Sequence, residues 1–139
     1  MAAPRVCVLI PTLRNSLQLE VVLESLDDQD YGSDFDVVLV GPNGDAGQAV
    51  AEKYGRKWID DAGSRNRADA CNVGIKAIDC DILLFTDDDV IPPVDWVGKL
   101  VRWFERTDVA GVGGPNFAPD EDPAWAKAAD VAFTAKWVT

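Results

Sequence analysis

Histidine is absent from all 139 residues. That one absence removes His-based catalytic triads, imidazole-ligated zinc and a histidine general base. Cysteine is scarce: Cys7, Cys71 and Cys80 form an odd set without CxxC spacing, each inside an apolar segment. They read as reduced thiols of a cytoplasmic protein, not as a disulfide frame. No apolar run approaches the ~20 residues of a membrane span, and Met1-Ala2-Ala3-Pro4 lacks a signal-peptide core. The expected location is the cytoplasm, or the cytoplasmic face of a membrane if the chain is part of a longer protein. Positive charge is short too, with 13 Lys and Arg against 24 Asp and Glu and a net charge of -11. No basic patch stands out to meet phosphates, so nucleic acid is not an expected partner.

What remains is an ordinary globular composition, 47% hydrophobic and 27% charged, of a length that fits a single domain over 1–139. Val6-Cys7-Val8-Leu9-Ile10 reads as a strand closed by Pro11-Thr12. Asn15 and Gln18 have the spacing of a capping box, and Leu19, Val22, Leu23 and Leu26 form the apolar stripe of the helix behind it. Asp36–Val40 is a second strand that runs into the turn Gly41-Pro42-Asn43-Gly44-Asp45. A short helix through Ala46, Val50 and Tyr54 should stop at Gly55, before a weak strand at Lys57-Trp58-Ile59. Ser64 is a candidate cap for a helix with Ala68, Cys71, Ile75 and Ile78 on one face. A strand at 82–86 follows, then a helix with Pro93 near its first turn and Val97, Leu100, Val101 and Phe104 as its stripe. Val109–Val112 reads as one more strand, and the Ala- and Trp-rich tail from Pro123 as a helix. Strand and helix alternate, so the expected fold is α/β: an open, mostly parallel sheet with helices on both faces.

The chemistry concentrates at Asp87-Asp88-Asp89. In a chain with 19 aspartates, a triplet carries little by itself. Its position carries more. The run Ile82–Thr86 reads as a strand buried on both faces, and in parallel sheets ligands bind beyond the carboxyl ends of strands. Like charges crowded there repel unless a cation neutralises them, and carboxylate oxygens suit Mg²⁺ or Mn²⁺.

Four stretches, in order, then resemble family-2 inverting glycosyltransferases of the GT-A (Rossmann-like) fold. They are Val8-Leu9-Ile10-Pro11-Thr12; Leu23-Glu24-Ser25-Leu26 with Gln29 and Tyr31; Arg67–Ile75; and Phe85–Asp89 with Pro92 and Trp96. The resemblance implies a donor domain for a nucleoside-diphosphate sugar, with Asp87 and Asp89 as the DxD pair. Asp89 would bind the metal, and Asp87 the ribose or the metal through water. Asp88 is the variable middle residue, facing away along an extended backbone. Arg67, with Arg65 as a second candidate, would stand near the diphosphate, and Pro11 and Thr12 would border the base. Asn72 and Gly74 are assigned to helix packing.

Three departures stand out. The family's Asn after the first strand is displaced, with Arg14 in its place and Asn15 following. The family's aspartate after the second strand is missing, so Asn43 or Asp45 would have to replace it. The acceptor-binding half, with the expected catalytic base, is not found by Thr139 and is expected beyond it; the acceptor itself would be a glycan, a lipid carrier or a protein. The apolar stripe of the tail, Trp125, Ala128, Ala129, Ala132 and Phe133, would then cover the sheet or mediate self-association. Two other readings stand beside the glycosyltransferase one: a non-catalytic domain that binds nucleotide or partner, and a sugar-phosphate nucleotidyltransferase. Against the latter, Pro11-Thr12-Leu13-Arg14-Asn15 has no glycine to wrap a triphosphate.

Overall fold

The computed structural model describes residues 3–14, 17–115 and 117–134, with side chains described as far as Ala129. It divides into two compact units, Met1–Arg102 and Trp103–Thr139. The first holds strands β1 (Val6–Pro11), β2 (Asp36–Gly41), β3 (Lys57–Asp60) and β4 (Ile82–Phe85), with helices α1 (Leu17–Asp27), α2 (Ala46–Lys53), α3 (Arg67–Ala77) and α4 (Trp96–Val101). The second holds helix α5 (Ala124–Thr134).

The four strands form one all-parallel sheet in the order β3-β2-β1-β4. All six residues of β1 are buried, as expected of a central strand covered on both sides. Leu9 packs with Val38, Val40 and Ala70 of α3 on one face. By the alternation of a strand, Val8, Ile10 and Leu39 face the other way, and all three are fully buried too. The α1 side chains Leu19, Val22, Leu23 and Leu26 are sealed as well, and α1 packs with α2. Fully burying Val8, Leu9 and Ile10 contributes about 1.5–3 kcal/mol apiece, an upper estimate because the unfolded chain is not fully exposed.

The strand order gives the sheet a switch point. The chain steps from β1 outward to β2 and β3, then returns through α3 to place β4 on the opposite side of β1. The crevice between the carboxyl ends of β1 and β4 is where such a fold admits a ligand. At the other end of the sheet, the Arg5 guanidinium donates to Asp79 at 2.8 Å and its backbone N–H to Asp81 at 2.8 Å. These bonds hold both carboxyls below their ordinary value. Their contribution is present above the unfolded carboxylate range and is lost as pH falls through the lowered folded values. Full exposure keeps it small.

Several local expectations need correction. Ser64 does not cap α3: its hydroxyl donates to Asp61 O at 2.5 Å within a turn, and Asn66 is the cap, its side chain accepting from Asp69 N at 3.0 Å. The helix therefore starts later, and its buried face is Ala70, Cys71 and Gly74, with Ala68 and Ile75 exposed. Pro93 lies outside α4, which begins at Trp96. Val109–Val112 is not a strand; a short segment running into Gly113-Gly114 needs a neighbour to pair with, and among the described residues it has none. Asn15 lies outside the described residues. The cysteines are free, with Cys7 and Cys71 buried. Burial, then the neighbouring Cys80, pushes the Cys7 thiol up to about 12, so it stays protonated and inert.

Gly41 closes β2 where the backbones crowd: a Cβ there would lie 2.5 Å from the Thr12 carbonyl oxygen and 3.0 Å from Trp58. Gly41→Ala should therefore cost about 1–3 kcal/mol in urea denaturation, as overpacking does. Gly32, where an added methyl would meet nothing within 4 Å, is the control, and Gly32→Ala should stay within about 0.5 kcal/mol of wild type. Equal losses would show that the close approach at Gly41 does not constrain the sheet.

Candidate functional site

The register Leu9↔Phe85 sets the site. Continued beyond the strands, it brings Thr12 level with Asp88, and the Thr12 hydroxyl donates to Asp88 Oδ2 at 2.6 Å. Both Thr12 and Thr86 are buried, so the aspartates leave the sheet from a fixed base. The chain then turns at Asp88-Asp89, with Val90 N bonded to Asp87 O at 3.4 Å. The turn corrects the expectation that Asp88 faces away, since alternation holds only along an extended strand. All three aspartates line one cavity.

That cavity, about 500 Å³, is walled by the ends of three strands and the loop into α3. From β1 come Pro11, Thr12 and the following Leu13; from the end of β2, Pro42. The loop after β3 supplies Asp61, Gly63, Ser64 and Arg65, and α3 supplies Arg67 behind its cap Asn66. Arg67 Nε donates to Asp87 Oδ1 at 2.6 Å, with Nη2 also 2.6 Å from that oxygen. The first turn of α3 faces the same space, and a helix N-terminus favours an anion.

Pro11, Thr12, Arg65, Arg67, Asp87, Asp88 and Asp89 are thus gathered in one place. Asn43 is not: it is exposed and lies outside the lining, its backbone N–H held by Asp60 at 3.2 Å. Asp45 is occupied as the α2 cap, accepting from Gly47 N at 2.8 Å and Arg14 N at 2.9 Å. The residue missed in the sequence is Asp61, hidden in the acidic run Asp60-Asp61, which reads as surface decoration. It is buried at 8% exposure and lines the cavity.

Four carboxylates against two guanidiniums leave the lining acidic, which suits a cation brought in with an anionic ligand. Among the described residues no three Asp, Glu or Cys side chains already form a metal cage. Mg²⁺ and Mn²⁺ fit such a set, because they are commonly held by one or two carboxylates together with substrate phosphates and waters.

Gln29 positions the segment beyond the aspartates. Its amide donates to Pro93 O at 2.8 Å and accepts from Val97 N at 2.9 Å, tying the end of α1 to the start of α4.

The fold is a doubly wound α/β domain whose cavity lies at the carboxyl ends of its strands, at the switch point. The family model described as glycosyl transferase family 2 matches residues 7–135, and the chain belongs to that family, with the GT-A arrangement. No curated protein matches the chain. Among solved structures it is similar to the mannosyltransferase PcManGT from Pyrobaculum calidifontis in complex with GDP-Man and Mn²⁺, with a TM-score of 0.71 and 24% identity over 82% of this chain and 37% of that one. It is also similar to glucosyl-3-phosphoglycerate synthase from Mycobacterium tuberculosis in complex with Mn²⁺, UDP and phosphoglyceric acid, at TM-score 0.62 and 21% identity over 73% of this chain and 39% of that one. TarS 1-349 from S. aureus aligns at TM-score 0.62 and 20% identity, over 83% of this chain and 40% of that one. The chain spans about two fifths of the length of these structures. At such identities the likeness concerns the fold.

Gln29→Leu should cost about 1–3 kcal/mol, because it leaves the N–H of buried Val97 and the Pro93 carbonyl without the amide. Urea denaturation measures it. A variant as stable as wild type would show that Gln29 does not hold the 93–97 segment.

Proposed function

We propose that this chain binds the nucleoside-diphosphate part of a sugar donor, for a glycosyltransferase that passes the sugar to an acceptor hydroxyl with inversion. The observation that carries the reading is the convergence of Arg67, the α3 N-terminus and Asp87–Asp89 in one cavity at the switch point. The complexes of the similar structures, GDP-Man with Mn²⁺ and UDP with Mn²⁺, support it.

Each residue has a part in this reading. Arg67, held in place by Asp87, offers N–H donors to phosphate oxygens, a geometry guanidinium suits. Thr12 fixes Asp88 by its hydroxyl, and Asp89, exposed at the turn, is the carboxylate most open to a cation. Asp89 and Asp87 would hold Mg²⁺ or Mn²⁺. The cation supplies Lewis-acid stabilisation of the diphosphate leaving group. Pro11, Pro42 and Leu13 give the nucleoside an apolar border. Among the described residues no helix is long and apolar enough to cross a membrane; a cytoplasmic location fits the free thiols and belongs to the proposal.

Mn²⁺ and a nucleoside diphosphate together should raise the melting temperature by more than the sum of their separate shifts, since each neutralises charge the other needs. Additive shifts would contradict the proposal. Asp89→Asn should weaken Mn²⁺-dependent GDP or UDP binding by about tenfold or more in calorimetry. Asp88→Asn should cost less, because the amide oxygen of the variant can still accept from the Thr12 hydroxyl. Equal losses would point to diffuse acidity instead of a site.

A further inference from the structure

Asp61 is a buried carboxylate for which the metal and diphosphate chemistry has no use. At 8% exposure it lines the cavity. Its Oδ1 accepts from Gly63 N at 3.0 Å, and among the described residues no donor reaches Oδ2. No Lys or Arg pairs with it there either. That oxygen is open to the cavity and not sealed in the core, so it is free to take a donor from a ligand, and a ligand that supplies one is favoured there. In the loop that carries it, Ala62 takes the left-handed conformation at φ 55°, unfavourable for a residue with a Cβ, while Gly63 beside it at φ 75° adopts it freely.

The sheet order says which part of a ligand meets it. Asp61 follows β3 and Asp87–Asp89 follow β4, at opposite edges of the sheet. Three strand spacings separate those edges, about 14 Å. A diphosphate at Arg67 and the aspartate triplet leaves the nucleoside end of the same molecule to reach towards β3. Phosphate oxygens would be repelled by an unpaired carboxylate, so a neutral donor group belongs beside Asp61. Pro42 and Leu13, in the same lining, offer apolar surface to a flat ring.

Resting on the donor-site reading above, we infer that Asp61 reads the nucleotide base, and that it selects a base with an N–H on the ring nitrogen of its pairing edge. Guanine fits best, presenting N1–H and its exocyclic amine side by side to one carboxylate. Uracil offers a single ring N–H. Adenine and cytosine place a ring acceptor there, and its lone pair would face carboxylate oxygen. The sequence departure at Gly41-Pro42-Asn43 then has a structural answer: the carboxylate absent after β2 is replaced from the end of β3, one strand over.

Binding of GDP, ADP, UDP, CDP and inorganic pyrophosphate to residues 1–139 with Mn²⁺, measured by calorimetry, tests this in matched purine and pyrimidine pairs. GDP should bind about tenfold or more tighter than ADP, and UDP tighter than CDP, as expected where a buried acceptor is matched against one left facing an acceptor. Asp61→Asn keeps Oδ1 for the Gly63 turn but turns the other atom into a donor. It should bring both ratios close to one or invert them, with pyrophosphate binding unchanged. Wild-type ratios near one would overturn the inference even if the variant failed to fold, and so would ratios that survive in a folded Asp61→Asn. Pyrophosphate or ADP binding without base preference removes only the base reader. Loss of all Mn²⁺-dependent binding, pyrophosphate included, removes the donor-site reading and this inference with it.

Discussion

The parallel pairing of β1 with β4 is the constraint from which the site follows. β1 is the most completely buried strand of the sheet, so its position is fixed by hydrophobic burial on both faces before any polar group is placed. Pairing in the register Leu9↔Phe85 then determines which residues emerge together at the carboxyl end. Thr12 meets Asp88 because of that register, and Arg67 meets Asp87 because α3 returns across the Leu9 face. Gly74 permits the return: a Cβ there would lie 2.7 Å from the Leu9 side chain. Slipping β4 by one residue would exchange its two faces and move Asp87 and Asp88 off their partners.

The acidic excess has two different physical meanings in this chain. Most carboxylates, such as Asp28 and Asp34, are exposed and act through solvation and mutual repulsion. Some make ordinary surface contacts, as Asp79 and Asp81 do with Arg5. Asp61 and Asp87–Asp89 differ because they share a confined cavity with only two guanidiniums, where water screens less and a bound cation would matter more. Density of aspartate along the sequence does not separate these classes. Burial and convergence do.

Much of this was legible in the residues. The strands β1, β2 and β4 announce themselves as β-branched and leucine-rich runs, the stripe of α1 has helical period, and the triplet at the end of β4 marks the site. Arg67, Thr12 and Pro11 could be named because four stretches in the right order resemble a family. The misses have physical reasons. Ser64 and Asn66 are both good caps, and only the tertiary turn at Asp61, which takes the Ser64 hydroxyl, decides between them. Asp88 is misdirected when a strand's alternation is extended through a turn. Val109–Val112 has the composition of a strand but, among the described residues, no neighbour to pair with, and pairing cannot be read from one segment. Asp61 looks like its exposed neighbour Asp60, since a sequence does not show which of two adjacent carboxylates the fold buries.

On the proposed reading, the end of β4 would hold a cation far better with a diphosphate than without one, at a single place in an otherwise acidic protein. Paramagnetic broadening of amide NMR signals by substoichiometric Mn²⁺, with and without GDP, tests it directly. With GDP the broadening should collapse onto Thr12, Arg67 and Asp87–Asp89, while Asp27-Asp28, Asp34 and Asp79 recover their signals. Broadening spread over those surface carboxylates, unchanged by the nucleotide, would contradict it.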